Sequence, residues 1–243
     1  MTTRRRLDQI ITELGITSTP EEARKYVLAG RITVAGKVAI SPSQTVLSQS
    51  NISLTALPDY YSRGGIKLAH AIDDFELDLK GLVGLDIGSS TGGFTHCLVE
   101  HGVSKVYSLD VGYGQLDYRL REDPRVIVME RVNASYPFVI DEKADIITID
   151  VSFISLTKIL PAVSGHLAKG GIILALIKPQ YEARPDEIGK GGIIRSPSSH
   201  AEIIGRIISW VVYNGFRLRG LEASRITGSG GNREFFMMLN SCG

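Results

Sequence analysis

The amino-terminal part of the chain alternates short amphipathic helices with short strands. Apolar side chains follow the i, i+3, i+4, i+7 spacing of one helix face at Leu7, Ile10, Ile11 and Leu14. This spacing predicts a helix over residues 5–14, and Thr19-Pro20 with the two acids after it predicts the start of a second helix. A hairpin around Ala35-Gly36 and a strand over residues 51–54 complete the pattern. We therefore predict a small α+β domain over residues 1–55.

A longer α/β pattern follows. Proline and paired glycines interrupt any regular element over residues 56–65, which we interpret as a linker to a second domain over residues 66–243. A helix is predicted over residues 66–75, and further helices are predicted to begin near Gly92, Gln115, Leu156 and Ser198. Apolar strands are predicted over residues 82–87, 103–109, 126–129, 146–150 and 172–177. Apolar strands separated by helices indicate a parallel sheet with both faces covered.

The last two predicted strands differ from the others. Residues 216–224 and 234–239 are joined by a glycine-rich turn with no helix between them. We therefore expect them to pair with each other, so that the mostly parallel sheet ends in an antiparallel hairpin.

Composition excludes several classes of protein. With 22% charged and 43% hydrophobic residues the chain is not disordered, and no apolar run approaches the ~20 residues that span a bilayer. No apolar segment follows the basic N-terminus, so we expect no signal peptide and a cytoplasmic protein without stable membrane association. Cys97 and Cys242 are too few for a disulfide framework, and the histidines lack ligand spacing, so no metal site is expected.

Charge is distributed unevenly along the chain. Nine basic and five acidic residues occur through Lys67, whereas the remainder has 18 basic and 21 acidic residues. This asymmetry indicates a small basic module that meets an anion, joined to a nearly neutral body, although a solvated helix face gives the same pattern.

The strongest motif is LDIGSSTGGFT at residues 85–95. A predicted strand ends in Asp86, small residues follow, and glycines allow backbone N–H groups to approach a ligand where open α/β sheets bind nucleotides. The spacing is not G-x-G-x-x-G and no P-loop lysine is present, so a cofactor with an amino-acid tail is favoured over a pyrophosphate cofactor. Asp110 ends the second strand, where a carboxylate can accept from both ribose hydroxyls of a nucleoside.

Two charged residues follow the next strands of the predicted sheet. Asp150 and Lys178 end the fourth and fifth strands, so we expect them to form a pair in the ligand crevice. Burial favours the neutral amine of a lysine and a carboxylate favours the ammonium, so such a pair can supply a base. A structural salt bridge is the alternative. Lys67 and Glu234 have weaker individual claims, because either alone fits a surface charge.

These residues resemble those of a known enzyme family. Lys67, Asp150, Lys178 and Glu234 occur in the order and strand positions of the Lys-Asp-Lys-Glu tetrad of FtsJ-like ribose 2′-O-methyltransferases. The segment Asp86-Ile-Gly-Ser-Ser-Thr-Gly-Gly-Phe resembles the cofactor loop of that family. The α/β pattern with its terminal hairpin matches their class I, Rossmann-like fold.

The N-terminal domain resembles an S4 RNA-binding domain. The likeness lies in Arg6-Leu7-Asp8, in the helix end from Glu22-Ala23-Arg24 to Ala29-Gly30, and in the hairpin of residues 31–38. With Ser62-Arg-Gly-Gly-Ile-Lys-Leu between the two parts, the chain is identified as a member of the TlyA family. One departure is Ala35, where S4 hairpins usually carry asparagine, so a polar turn contact is expected to be missing.

The resemblance implies an activity. TlyA proteins, often labelled haemolysins, are ribosomal RNA cytidine 2′-O-methyltransferases that use S-adenosylmethionine, and members with short ends are associated with the large-subunit site. Lys178 is then the base, Asp150 and Glu234 assist it, and Lys67 orients the target ribose. Two alternatives are a catalytically inactive RNA-binding factor in ribosome assembly and a membrane-lytic haemolysin.

The predicted binding residues form two sets, and the expected partner is ribosomal RNA or a ribosomal subunit. The predicted cofactor-binding residues are Asp86, Gly88, Ser89, Ser90, Gly92, Gly93, Phe94, Asp110, Val111, Asn133 and Asp150. The predicted RNA-binding residues are Arg4, Arg5, Arg6, Arg24, Lys25, Arg31, Lys37 and Arg63.

Overall fold

The computed structural model describes residues 4–28, 30–39, 41–54, 62–189, 191–228 and 230–241. Its N-terminal domain contains helices α1 (Leu7–Glu13) and α2 (Pro20–Leu28) and strands β1 (Arg4–Arg6), β2 (Ile32–Val34), β3 (Lys37–Val38), β4 (Thr45–Leu47) and β5 (Ile52–Leu54). Strand β1 pairs with β4, and β2 lies between β3 and β5 in a separate antiparallel sheet. Apolar side chains from both helices and from β2 and β4 form a small core.

The first helix is shorter than its sequence pattern predicts. Arg4–Arg6 form a strand, and α1 begins only at Leu7. The arginines pair with Thr45–Leu47, a strand in which Val46 is the buried residue. Local periodicity does not reveal a ladder between two such short and distant segments, so both strands escape prediction.

The predicted hairpin between β2 and β3 is present. Ala35 and Gly36 have φ values of 51° and 77°, the left-handed conformation that a two-residue type I′ turn requires at both positions. The N–H of Ala35 donates to the carbonyl of Asn51 at 2.7 Å, which ties the turn to the neighbouring segment. The hairpin therefore forms without the asparagine that usually favours this turn.

The second domain consists of seven strands and six α-helices among the described residues. The strands are β6 (Val83–Ile87), β7 (Lys105–Asp110), β8 (Val126–Glu130), β9 (Ala144–Ile149), β10 (Leu167–Ile177), β11 (Phe216–Ala223) and β12 (Phe235–Ser241). The helices are α3 (Arg63–Asp74), α4 (Gly93–Glu100), α5 (Tyr118–Glu122), α6 (Leu156–Ser164), α7 (Pro179–Glu182) and α8 (Pro197–Tyr213).

The strands form one sheet in the order β11-β12-β10-β9-β6-β7-β8. Strands β6 to β10 are parallel, whereas β12 is antiparallel to both of its neighbours. Helices α3 and α4 cover one face and α6 and α8 the other. The predicted α/β sheet with its terminal hairpin is confirmed. Because the strand order reverses at β6, the carboxyl ends of β6 and β9 flank a crevice where such sheets bind ligands.

Helix α3 begins inside the segment predicted as a linker. Ser62 caps it, because its hydroxyl accepts from the N–H of Gly64 at 3.2 Å. The paired glycines do not break the helix. A Cβ at Gly64 would lie 3.3 Å from the ring of Phe94, and a Cβ at Gly93 would lie 3.0 Å from the nitrogen of Gly65. The glycines therefore allow α3 to pack closely against the start of α4.

Candidate active site

The segment between β6 and α4 forms a tight loop over the carboxyl end of the sheet. Gly88 has φ 85°, and a Cβ there would lie 2.7 Å from the carbonyl oxygen of Asp150, so the position excludes a side chain. The N–H groups of Gly88 and Ser89 donate to the carbonyl of Leu109 at 2.8 and 3.1 Å. Five predicted cofactor-binding residues of this loop border a cleft: Gly88, Ser89, Ser90, Gly93 and Phe94.

Two other residues of the motif face away from that cleft. Asp86 is fully buried below the loop, and its carboxylate accepts from the hydroxyls of Thr95 at 2.6 Å and Thr148 at 2.9 Å. Burial raises the pKa of Asp86 to about 7. Gly92 has φ 94° and faces Leu120, which a Cβ would overlap. Asp86 and Gly92 therefore support the loop from below in this structure, and their predicted contacts with a cofactor stay a prediction.

Asp110 ends β7 and holds the cofactor loop. Its Oδ2 accepts from the N–H of Ser90 in the cofactor loop at 2.8 Å, and its Oδ1 accepts from the N–H of Gly112, just after β7, at 2.7 Å. Val111, the next residue, is exposed. The N–H of Val132 donates to the carbonyl of Asp110 at 3.0 Å, and this bond places Asn133, which follows Val132, near Asp110. Each carboxylate oxygen has a second lone pair that a ligand hydroxyl can use. The predicted ribose contact is therefore compatible with this geometry.

Asp150 and Lys178 follow the carboxyl ends of the adjacent strands β9 and β10. The distance from Lys178 Nζ to Asp150 Oδ1 is 2.6 Å, and Nζ also donates to Ser152 Oγ at 3.1 Å. The side chains are only 11% and 20% exposed, respectively. Asp150 Oδ1 has no aligned hydrogen-bond donor among the described residues, so Coulombic attraction joins it to the ammonium. The expected pair is present, and its oxygen keeps acceptor capacity for a ligand.

Lys67 and Glu234 form a second ion pair. Lys67 Nζ lies 2.5 Å from Glu234 Oε2, and the side chains are only 8% and 3% exposed. Taken singly, each residue fits a surface charge in the sequence, but in the structure α3 lies next to the start of β12 and both side chains are buried. A Cβ at Gly228 would overlap Glu234 Oε1, so the preceding turn closes over the carboxylate. Arg63, predicted to bind RNA, donates to the carbonyl of Thr227 at 3.0 Å, and burial lowers the pKa of its guanidinium.

Both ion pairs and the cofactor loop border one cleft of about 840 Å³. Its lining comes from α2, α3 and α7, from the start of α5, and from the segments that follow β6 and β9. A volume of this size accommodates a drug-sized ligand or cofactor. The cleft therefore brings the glycine loop and both ion pairs to one space.

An aromatic pair near the cleft is not predicted from the sequence. Phe153 is 88% exposed and has φ 64°, an unusual backbone conformation for a bulky residue. Its ring centroid lies 4.9 Å from that of Tyr181, which lines the cleft together with Gln180. Backbone strain of this kind concentrates at functional sites. Hydrophobic periodicity does not distinguish these two aromatic residues from core residues. The one signal in the sequence is their position, three residues after Asp150 and three residues after Lys178.

Three predicted RNA-binding arginines take part in ion pairs of the N-terminal domain. Arg5 pairs with Glu13, and Arg6 and Arg24 share Asp8 at 2.7 and 3.3 Å. Asp8 is buried, and the hydrogen bond from Arg6 lowers its pKa. The arginine side chains themselves are 39% to 55% exposed, so they stabilise the domain and still face solvent.

The other predicted RNA-binding residues of this domain have different surroundings. Arg4 is exposed on β1, and Lys25 lines the cleft. The guanidinium of Arg31 lies 4.6 Å from the ring centroid of Tyr26. The side chain of Lys37 lies outside the described residues.

The described residues contain neither a cluster of metal ligands nor a membrane-spanning helix. No group of three or more His, Cys, Asp or Glu side chains there has an arrangement that could hold a metal ion. No helix in the described ranges is long and apolar enough to cross a membrane.

Known proteins are similar to this chain in sequence and in fold. The family profile described as FtsJ-like methyltransferase matches residues 60–241, and the S4 domain profile matches residues 5–52. YqxC of Bacillus subtilis is 41% identical over 239 residues, covering 97% of this chain and 85% of that protein. The 16S/23S rRNA (cytidine-2′-O)-methyltransferase TlyA of Mycobacterium tuberculosis is 35% identical over 247 residues, with coverage of 99% and 91%. A solved hemolysin-named structure from Streptococcus thermophilus has a TM-score of 0.76 at 36% identity, covering 99% of this chain and 90% of that one.

The sheet order, the glycine loop and the profile over residues 60–241 define a methyltransferase. The chain belongs to the FtsJ-like methyltransferase family and, with its S4 domain, to the TlyA group within it.

Proposed function

We propose that the protein transfers a methyl group from S-adenosylmethionine to the ribose 2′-hydroxyl of a cytidine in ribosomal RNA in the cytoplasm. Large-subunit rRNA is the first target to test. The observation that carries the proposal is the placement of the Lys67–Glu234 and Asp150–Lys178 ion pairs in the same cleft as the glycine loop. The mycobacterial relative is named as an rRNA methyltransferase, and this name and the S4 domain support the choice of RNA.

The cofactor loop fits S-adenosylmethionine. Gly88 has no side chain, so a ligand can approach the backbone at the end of β6. Asp110 binds the loop through the N–H of Ser90 and keeps lone pairs that can accept from ribose hydroxyls. Val111 offers an exposed apolar surface next to Asp110 for an adenine ring. When bound, the cofactor supplies an electrophilic methyl group on a sulfonium centre. Ser89, Ser90 and Asn133 complete the proposed binding set.

The residues of the cleft then have distinct chemical roles. Lys178, once its ammonium proton has passed to solvent, would accept the proton of the ribose 2′-hydroxyl at Nζ, while the methyl group leaves the sulfur of the cofactor and bonds to the ribose oxygen. Asp150, 2.6 Å away, stabilises the ammonium that forms. Lys67 and Glu234 hold the ribose in the attacking orientation from their buried positions. Holding two reactants in place is worth up to about 7–11 kcal/mol in favourable cases.

The surface around the cleft suits single-stranded RNA. The exposed Phe153 ring beside Tyr181 offers a stacking surface for the base whose ribose reaches Lys178. The basic N-terminal domain supplies phosphate contacts, which are salt-dependent and largely independent of sequence.

The cofactor assignment is tested by calorimetry of S-adenosylmethionine binding to the wild type and to Asp110→Ala. The substitution removes the acceptor of the ribose hydroxyls and of the Ser90 N–H, so affinity falls at least about tenfold. Asp73→Ala, an exposed acid on α3, is the matched control and leaves affinity unchanged. Unchanged affinity in Asp110→Ala removes Asp110 from the site, and an absence of binding by the wild type contradicts the cofactor itself.

A further inference from the structure

We infer that the last turn of α2 forms the outer wall of the active-site cleft, where Lys25 and Tyr26 hold the RNA nucleotide next to the target cytidine. The inference rests on the proposed function and deepens it. In this arrangement the N-terminal domain acts within the catalytic cleft as well as at a distance on the RNA.

The first observation is that both residues line the cleft. Lys25 and Tyr26 border the same space as Gly88, Lys67 and Lys178. A binding domain that only tethers the enzyme to its substrate has no reason to contribute side chains there. A target ribose beside Lys178 must continue into neighbouring nucleotides, and the α2 wall is one surface those nucleotides meet as they leave the cleft.

The second observation is the contact between the two domains at Gly30. Gly30 has φ 71°, and a Cβ there would overlap Cδ1 of Ile66 and lie 3.2 Å from Cγ of Arg63. Ile66 directly precedes Lys67 on α3. The end of α2 therefore abuts the helix that carries a tetrad residue, and only a glycine permits this approach.

The third observation concerns Tyr26. The guanidinium of Arg31 lies 4.6 Å from its ring centroid, and the N–H of Arg31 donates to the carbonyl of Tyr26 at 2.9 Å. One face of the ring is thus held by a cation, which fixes its orientation. A fixed aromatic ring at the edge of a cleft can stack on an unpaired base of any identity.

The fourth observation is the charge of this wall. Lys25 has no acidic partner among the described residues, and Arg63 also lines the cleft. Glu21 and Glu22 lie one turn before Lys25 on the same helix, but neither forms an ion pair with it among the described residues, and Glu22 accepts instead from the N–H of Ser18 at 2.8 Å. An unpaired ammonium beside a ribose site matches the phosphate that joins the target to its neighbour.

The inference is tested by single-turnover methyl transfer to ribosomal subunits at saturating enzyme and cofactor. Lys25→Ala and Tyr26→Leu each reduce the saturating rate about tenfold, because the lost contacts orient the strand at the reacting centre. Cofactor affinity stays unchanged in both. Lys80→Ala and Tyr213→Leu, exposed residues that do not line the cleft, are matched controls and retain the wild-type rate.

Two outcomes separate this inference from the proposed function. If the wild type transfers methyl groups and both variants match its saturating rate, the α2 wall is not part of the reaction site and the inference is wrong. If the wild type transfers no methyl group to the subunits, the proposed function itself is wrong.

A second measurement avoids any effect of the substitutions on folding. Photo-crosslinking uses the wild-type protein and RNA that carries 4-thiouridine next to the mapped methylation site. Cross-links in the peptide that contains Lys25 and Tyr26 support the inference. Cross-links confined to other parts of the chain contradict it.

Discussion

Lys178 is the side chain on which the proposed chemistry depends most. Lys178→Ala removes the proton acceptor, so the methyl-transfer step slows by roughly 10²–10⁴-fold. Affinity for cofactor and RNA changes little, because the lost interaction matters mainly in the transition state. Single-turnover rates combined with equilibrium binding measure both effects.

The arginine variant is the control for that prediction. Lys178→Arg keeps the positive charge beside Asp150, but a guanidinium does not release its proton at neutral pH. We therefore expect Lys178→Arg to restore little of the methyl-transfer rate that Lys178→Ala loses. A near-normal rate in Lys178→Arg would give Lys178 an electrostatic role and leave proton removal to another group.

The Lys67–Glu234 pair combines catalysis with stability. Lys67→Met leaves the carboxylate of Glu234 buried without its partner, so the free energy of unfolding falls by about 3–5 kcal/mol. The double variant Lys67→Met, Glu234→Leu replaces both charges by apolar groups and recovers most of the stability without activity. Urea denaturation of the wild type and of both variants measures this coupling. A cost below about 1 kcal/mol for the single change would mean that the pair behaves like an exposed one.

At the residue scale, the sequence indicates which polar residues end the strands, but it identifies only some of the side chains that they contact. The Asp150–Lys178 pair is predictable because parallel strands bring their carboxyl ends to one edge. Lys67 and Glu234 are 167 positions apart, and no local pattern reveals that they meet. The direction of Asp86 is also hidden, because a motif specifies the end of a strand but not what packs below it.

At the scale of elements, Asp86 joins three of them. Its carboxylate on β6 accepts from Thr95 on α4 and Thr148 on β9, so it fixes the cofactor loop to the sheet. Long apolar strands such as β7 and β9 are predictable from their composition. Strands β1 and β4 are not, because three-residue ladders depend on tertiary pairing.

The raised pKa of Asp86 predicts a pH dependence of stability. Between its unfolded value of 3.8 and its folded value of about 7, the folded state holds more protons than the unfolded state. The free energy of unfolding therefore decreases through this window as pH rises, and the Asp86 contribution levels off above it. In Asp86→Asn this decrease disappears, which urea denaturation at several pH values measures.

The comparison must be made as a difference between variant and wild type. Burial lowers the pKa of His70 and His200, so these residues destabilise the protein as pH falls and oppose the effect of Asp86. If the difference between Asp86→Asn and wild type does not change with pH, the carboxyl of Asp86 is ionised throughout the window.

At the scale of the whole molecule, the N-terminal domain and the sheet domain meet beside one cleft. Gly30 contacts α3, and the same region carries Lys25, Arg63 and Lys67 toward the carboxyl edge of the sheet. The charge asymmetry of the sequence already indicated a basic module next to a nearly neutral body. It did not indicate that this module borders the cleft, because such a contact depends on how two separately folded parts pack.

Mapping of the transferred methyl group decides whether the protein methylates a ribose of ribosomal RNA. Purified protein is incubated with ribosomal subunits and S-adenosylmethionine labelled in its methyl group, and the RNA is hydrolysed in alkali, which does not cleave next to a 2′-O-methylated ribose. The account predicts label in one alkali-resistant dinucleotide that begins with cytidine, and its loss with Lys178→Ala. Label on a base, or no transfer to either subunit, would contradict the account.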